Sequence, residues 1–374
     1  MIAAVVLAAL AGLVFQSAML SVDHQAAGRP WPRGLGSVES VSARYPEREP
    51  NAAARRLAEL ALPLGIDFTP KAVQTLPQRE RQSAHDWLKR GHESASMAVG
   101  PLPEDVARYL ELHGAQLDAV RDHLLAGGPL AWAMGRRDDA IPNLQAHMQL
   151  ARLLVVRGAA TGSWPDLEAA WRLSRALQAR PELISQLIAL AIARSVNAAA
   201  WKMPLPAAAW LPELRQVDHV LLLGRGMQYD AWWLWQSGMA DPEGVPPPIV
   251  RTFAADTIDH YRTTVTTLLG VRQCGFDLPR FSEQRASTIP WWNVYGSIAT
   301  PNLASVWGRA FRYRAEREAT MNALRVRAGE PIVARSECVD GAWQLDDGTL
   351  AFTRALPKAG EQDATMPLAL RVAP

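Results

Sequence analysis

The chain has 374 residues, 49% hydrophobic and 20% charged, with a formal net charge of +2. That balance excludes a polar disordered chain and leaves room for a sizeable buried core. Near-neutrality also excludes the bulk positive field that gathers a protein onto nucleic acid, so no nucleic-acid partner is expected.

The basic residues are biased in kind: only Lys71, Lys89, Lys202 and Lys358 among the 39 are lysines. In an alanine-rich chain this reflects a GC-rich genome rather than selection for phosphate forks.

Residues 1–22 carry no charge. As a helix they rise about 33 Å, enough for a hydrocarbon core of roughly 30 Å. A secretory signal calls for a basic start and a small-x-small cleavage site. Neither is present: Gln16 precedes Ala18 and His24 precedes Ala26 in the critical positions. The segment therefore reads as an uncleaved transmembrane anchor, and the missing basic start is also what an upstream initiation site would leave. Arg29 and Arg33 pull toward a cytoplasmic body by the positive-inside rule. The habit of short N-terminal anchors and two cysteines able to pair favour an inner-membrane, single-pass protein with a periplasmic body.

Residues 23–50 are rich in Gly, Pro and Ser and read as a linker. From Asn51 helical spacing takes over, and residues 51–328 read as a helical body. In the stretch 103–128, Val106, Leu110, Leu117, Val120 and Leu124 share one face of a single predicted helix ending at Gly127. Leu144, Met148, Ala151 and Val155 repeat the pattern. The segment 183–200 is apolar nearly all round, but its uncharged run from Leu183 to Ala193 is too short to span, so a buried helix is expected. Thr300-Pro301 opens a last long helix that stops at Gly329. Its Arg309, Arg312, Arg314, Arg317, Arg325 and Arg327, with Glu316 and Glu318, read as a solvated face.

Residues 329–374 read as a small β-rich element. Asp347-Gly348 marks a two-residue hairpin loop, a register that sets Trp343 opposite Phe352 and Leu345 opposite Leu350. The stretch 366–372 offers a third strand. The fold class is thus mainly α, a helical-hairpin, repeat-like bundle with a C-terminal β-hairpin element and an N-terminal transmembrane helix.

Residues 151–181 resemble one tetratricopeptide unit. Gly158, Ala169, Leu173, Ala176 and Pro181 fall where that family places its small, apolar and closing residues, while Arg157 and Ala160 depart from it. The resemblance implies an αα-hairpin and suggests a protein partner. The whole chain also resembles bacterial membrane-anchored helical proteins, a resemblance that carries no activity.

Candidate chemistry is sparse. His85 and His92 lie seven apart on one helical face, but no HExxH or CxxC spacing supplies the three or four ligands a metal needs. Asp256 and His260 stand at i, i+4, so a carboxylate there could orient an imidazole. His113, between Leu110 and Leu117, reads as a core histidine. Ser83, His85 and Asp86 are too close in sequence for a triad. Trp232, Trp233, Trp235, Trp291 and Trp292 form two clusters suited to packing or to a ligand or partner surface. Adjacent rings cannot share one helical face, so Trp232 or Trp233 should point away from the core. Cys274 and Cys338 are positioned to form one disulfide.

These features imply a membrane-anchored interaction or scaffold protein of the bacterial envelope, held by residues 1–22, with a protein partner, no cofactor and no metal. The alternatives are an envelope hydrolase with an aromatic-lined pocket, using Asp256, His260, His85 or His92, and an accessory component of a pilus or secretion assembly.

Overall fold

The computed structural model describes residues 12–18, 20–21, 24–25, 28, 31–134, 141–236, 248–287, 303–356 and 365–372. The chain divides into two compact units. Unit 1 is Met1–Arg44, Gly224–Gly270 and Asp277–Ala304, and unit 2 is Tyr45–Leu223, Val271–Phe276 and Ser305–Pro374. The helices are α1 (Val38–Arg44), α2 (Ala52–Ala61), α3 (Gln78–Glu93), α4 (Glu104–Leu112), α5 (Gly114–Ala126), α6 (Leu144–Thr161), α7 (Trp164–Gln178), α8 (Leu183–Ala200) and α9 (Glu213–Gln216). They continue with α10 (His219–Trp235), α11 (Pro248–Leu268), α12 (Leu278–Ala286) and α13 (Leu303–Arg327). Three short strands close the chain: β1 (Trp343–Asp346), β2 (Thr349–Phe352) and β3 (Ala369–Arg371).

Unit 1 corrects the linker expected over 23–50. A helical turn at Arg33–Leu35 packs on α11, and Leu35 and Val41 are buried. Gly34 lets the turn approach closely, since a Cβ there would sit 2.7 Å from Thr266 Cγ2. The Trp31 ring meets Trp235 edge-on at 5.7 Å. Residues 12–18 are helical, but 1–11, 19 and 22 lie outside the described residues, so a spanning N-terminal helix gains no support here. Among the described residues the one helix long and apolar enough to cross a membrane is α8, two-thirds of which is buried inside unit 2. It is a core helix, as its short uncharged run requires.

In unit 2, local caps set the helix starts. Asn51 accepts from the Ala54 amide at 2.9 Å to open α2, and Asn143 accepts from the Ala146 amide at 3.2 Å to open α6. Gly162, at φ 72, closes α6 in the left-handed conformation. The helix expected over 103–126 is instead broken into α4 and α5 at His113, whose ring is half-buried against Tyr109 at 4.4 Å rather than enclosed in the core.

Helices α6, α7 and α8 pack successively as hairpins. Gly158 permits the first close crossing, where a Cβ would lie 3.1 Å from Leu167 Cδ2. Arg157 is buried there because it is paired: its Nε donates to Asp166 Oδ2 at 3.0 Å and its Nη1 to Asp118 at 2.9 Å.

The strands form an antiparallel sheet in the order β1-β2-β3. Trp343 faces Phe352 and Leu345 faces Leu350 across a turn whose Asp347 and Gly348 both have positive φ. Leu345, near the hairpin tip, is 43% exposed although its partner Leu350 is fully buried.

The sheet is not a separate element. Trp343, Leu350, Phe352 and Leu370 share one core with Trp201 and with Ala315, Ala319 and Ala323, which recur every four residues along α13. Cys274 and Cys338 are joined as a disulfide in that core. Replacing both with Ser should lower unfolding free energy by about 2–4 kcal/mol. Denaturant unfolding with and without reductant checks this; identical midpoints for the oxidised and reduced chain would count against it.

Candidate functional site

The charged residues of α13 are the largest correction to the sequence reading. Arg312, Arg314, Glu316, Arg317 and Glu318 are all buried, not solvated. The Glu316 carboxylate, 1% exposed, accepts Arg194 Nε and Nη2 at 3.0 Å each and Arg312 Nε at 3.2 Å. Arg312 also donates to the carbonyls of Leu356 at 3.1 Å and Met366 at 2.8 Å. Glu318 accepts from Trp343 Nε1 at 2.7 Å, Ser336 Oγ at 2.6 Å and the Glu337 amide at 2.7 Å. Arg317 donates to the carbonyls of Leu214 at 2.9 Å and Val217 at 2.6 Å, and Arg327 to that of Trp201 at 2.6 Å. Burial holds the Tyr313 hydroxyl well above its ordinary pKa, and it donates to the Ala193 carbonyl at 3.3 Å. These groups are tolerated in the core because nearly every one has a partner.

Two concavities in unit 2 flank this helix. The first is a cavity of about 230 Å³ lined by His85, Lys89 and His92 of α3, Arg152 of α6, Arg194 and Ser195 of α8, and Glu316 of α13. The structure therefore brings the predicted pair His85 and His92 together, and adds Arg152 and Arg194 as well as Glu316, which the sequence had placed on a solvated face. The signal was there: Arg152 and Arg194 are half-buried charges on helices rich in apolar residues, where a charge needs a reason.

His92 is buried and its Nε2 has no hydrogen-bond partner among the described residues. Burial pushes its pKa down to about 3, helped by Lys202, Arg194, His85 and Arg152. Burial first, then Arg152, lowers His85 as well, against Asp86. An imidazole so reluctant to protonate is a poor general base near neutrality. Lys202 stands behind it, its Nζ donating to the Gly91 carbonyl at 2.5 Å and lying 5.0 Å from the Trp201 ring centroid; burial lowers it to about 8.

The second concavity is a groove of about 1130 Å³ between the segment Leu205–Arg215, the end of α13 and the strap Val333–Val339. Leu205, Val333 and Val339 are 39%, 43% and 68% exposed along it. Its charges are mostly engaged: Glu337 with Arg215 at 3.4 Å and Arg317 at 3.3 Å, and Arg325 with Glu330 at 3.6 Å. Arg335 is exposed and makes no side-chain hydrogen bond or ion pair among the described residues.

The remaining candidates lie elsewhere. Asp256 and His260 sit on α11 in unit 1, with His260 buried and its Nδ1 unpartnered among the described residues. Burial, then Arg285, lowers His260 to about 4, against Asp259, whose carboxylate also binds Arg262 at 2.7 Å. Trp233 is exposed on α10 while Trp232 is half-buried with its ring 5.3 Å from Tyr229. Trp291 and Trp292, like Thr300-Pro301, lie outside the described residues. Ser83 donates to Asp105 at 2.7 Å. No group of three or more His, Cys, Asp or Glu suited to a metal ion occurs among the described residues. No family model, curated protein or solved structure matches the chain.

Two predictions follow from the buried charge. Glu316→Gln leaves Arg194 and Arg312 uncompensated in the core and should cost about 3–5 kcal/mol in urea unfolding. Replacing Glu316, Arg194 and Arg312 together with Leu and Met should restore most of that loss, whereas a triple variant as weak as the single would contradict the account. The second concerns acid. His92, His147 and His219 are all buried, and burial depresses them to about 3, 4 and 3 from 6.5. The folded chain holds these rings neutral while the unfolded chain takes up protons below 6.5. Their stability contribution is therefore full above pH 6.5 and is lost as pH falls toward 3. Between pH 7 and 5 each ring should cost about 2 kcal/mol. His219→Leu should remove one such share from the measured difference in unfolding free energy.

Proposed function

We propose that this chain is a single-pass, membrane-anchored interaction protein of the bacterial envelope, its body periplasmic, and that an extended segment of a partner protein seats in the groove beside α13. The observation that carries the reading is the groove itself: about 1130 Å³, with Leu205, Val333 and Val339 open along it and Arg335 unengaged at its side among the described residues. Its shape and lining suit a peptide with apolar side chains at intervals and a carboxylate for Arg335. The anchor is supported by the absence of charge over residues 1–22. The periplasmic side is supported by the Cys274–Cys338 bond, since such bonds persist in oxidising compartments.

The test is affinity purification of the full chain from membranes, comparing the natural sequence with a Val333→Glu, Val339→Glu double variant. Both positions are exposed, so the fold should tolerate the change. A partner recovered with the natural chain and lost with the variant is the expected result. Equal recovery by both, or a chain that purifies alone, overturns the groove as its seat. Release of the chain from membranes by alkaline extraction would overturn the anchor.

A further inference from the structure

The cavity between α3, α6, α8 and α13 has a charge imbalance that folding alone does not account for. Among its lining groups, Glu316 is the single carboxylate, and Arg194 and Arg312 already hold it. Arg152 and Lys89 also line the cavity, and neither makes a hydrogen bond or ion pair among the described residues. Asp86 acts favourably on Arg152 but is outweighed by burial and by Arg81. His85 makes no hydrogen bond among the described residues, and His92, more than nine-tenths buried, leaves its Nε2 without a partner. The rest of the wall is apolar, with Leu88, Met148, Ile192 and Met366 prominent. A half-buried guanidinium left open beside the orphaned His92 Nε2 is an arrangement that a negative group would complete.

We propose that this cavity binds a small monocarboxylate with a short apolar body. The planar fork of Arg152 suits a carboxylate held by two parallel hydrogen bonds, Lys89 adds charge, and the His92 ring offers a further hydrogen bond. The apolar wall then covers the ligand's carbon chain. At about 30 Å³ per water-sized group, the volume admits roughly eight non-hydrogen atoms. Inorganic phosphate fits less well: with one free guanidinium present, its remaining oxygens would face methyl and thioether groups and lose their hydration.

Hexanoate has the matching size and chemistry and is the probe. Calorimetric titration of the full chain in detergent should show saturable, single-site binding of hexanoate, with hexanol and inorganic phosphate at least about tenfold weaker. Arg152→Gln should weaken hexanoate by at least about tenfold, and Arg152→Lys, which keeps the charge but not the fork, by less. Lys89→Ala, at a half-buried position, should weaken binding severalfold and keeps the test standing if the Arg152 variants fail to fold. No saturable binding up to about 10 mM hexanoate overturns the proposal. So does phosphate binding more tightly than hexanoate, hexanol binding as well as hexanoate, or affinity unchanged in the folded variants.

Discussion

The carboxylate of Glu316 governs how unit 2 is assembled. It sits in the core, where an unpaired charge would be prohibitive, and it is held from two directions. Arg194 reaches it from α8, while Arg312 comes from one turn earlier on the same helix. Arg312 then spends its remaining donors on the carbonyls of Leu356 and Met366, so the same charge fixes the tail that carries the sheet. A hydrophobic contact could slide by a residue at little cost. A three-way ionic clamp with directed hydrogen bonds cannot, and the register between α8, α13 and the tail follows from it.

The pattern extends along α13. Glu318 fixes Trp343 and the strap at 336–337, Arg317 gathers the carbonyls around residue 214, and Asn322 exchanges hydrogen bonds with Val333 at 3.1 and 2.9 Å. The helix is polar on several sides and buried on most of them. It works as a spine whose polar side chains are matched to loop carbonyls and amides, and its small face, Ala315, Ala319 and Ala323, takes the sheet. The cavity and the groove are formed partly by this helix, which is why each is lined by its glutamates.

Much of this fold was legible in the sequence. Helical spacing placed α6, the short apolar run placed α8 in the core, and the Asp347-Gly348 turn together with its apolar pairs fixed the hairpin register. These are local signals, carried by neighbouring residues. The buried character of α13 was not legible, because an Arg-rich helix has the same composition whether water or carbonyl oxygens solvate it. Only the distant partners decide, and Arg194 stands 122 positions from Glu316. The same holds for the cavity. The spacing of His85 and His92 put them on one face, but Arg152 joins them only through the packing of α3 on α6. Residues 33–44 went the other way, since a Gly- and Pro-rich stretch can pack tightly once a glycine such as Gly34 allows close approach.

The disulfide between Cys274 and Cys338 has a topological consequence. It closes a covalent ring that contains the whole of α13, together with the excursion 277–304 that belongs to unit 1. A protease that cuts once anywhere within that ring produces two polypeptides that remain one molecule. The clamp, the sheet and the strap along the groove would stay tethered together after such a nick. In an oxidising compartment the ring thus keeps the fragments of any single cut over some sixty residues joined, and only reduction would part the pieces.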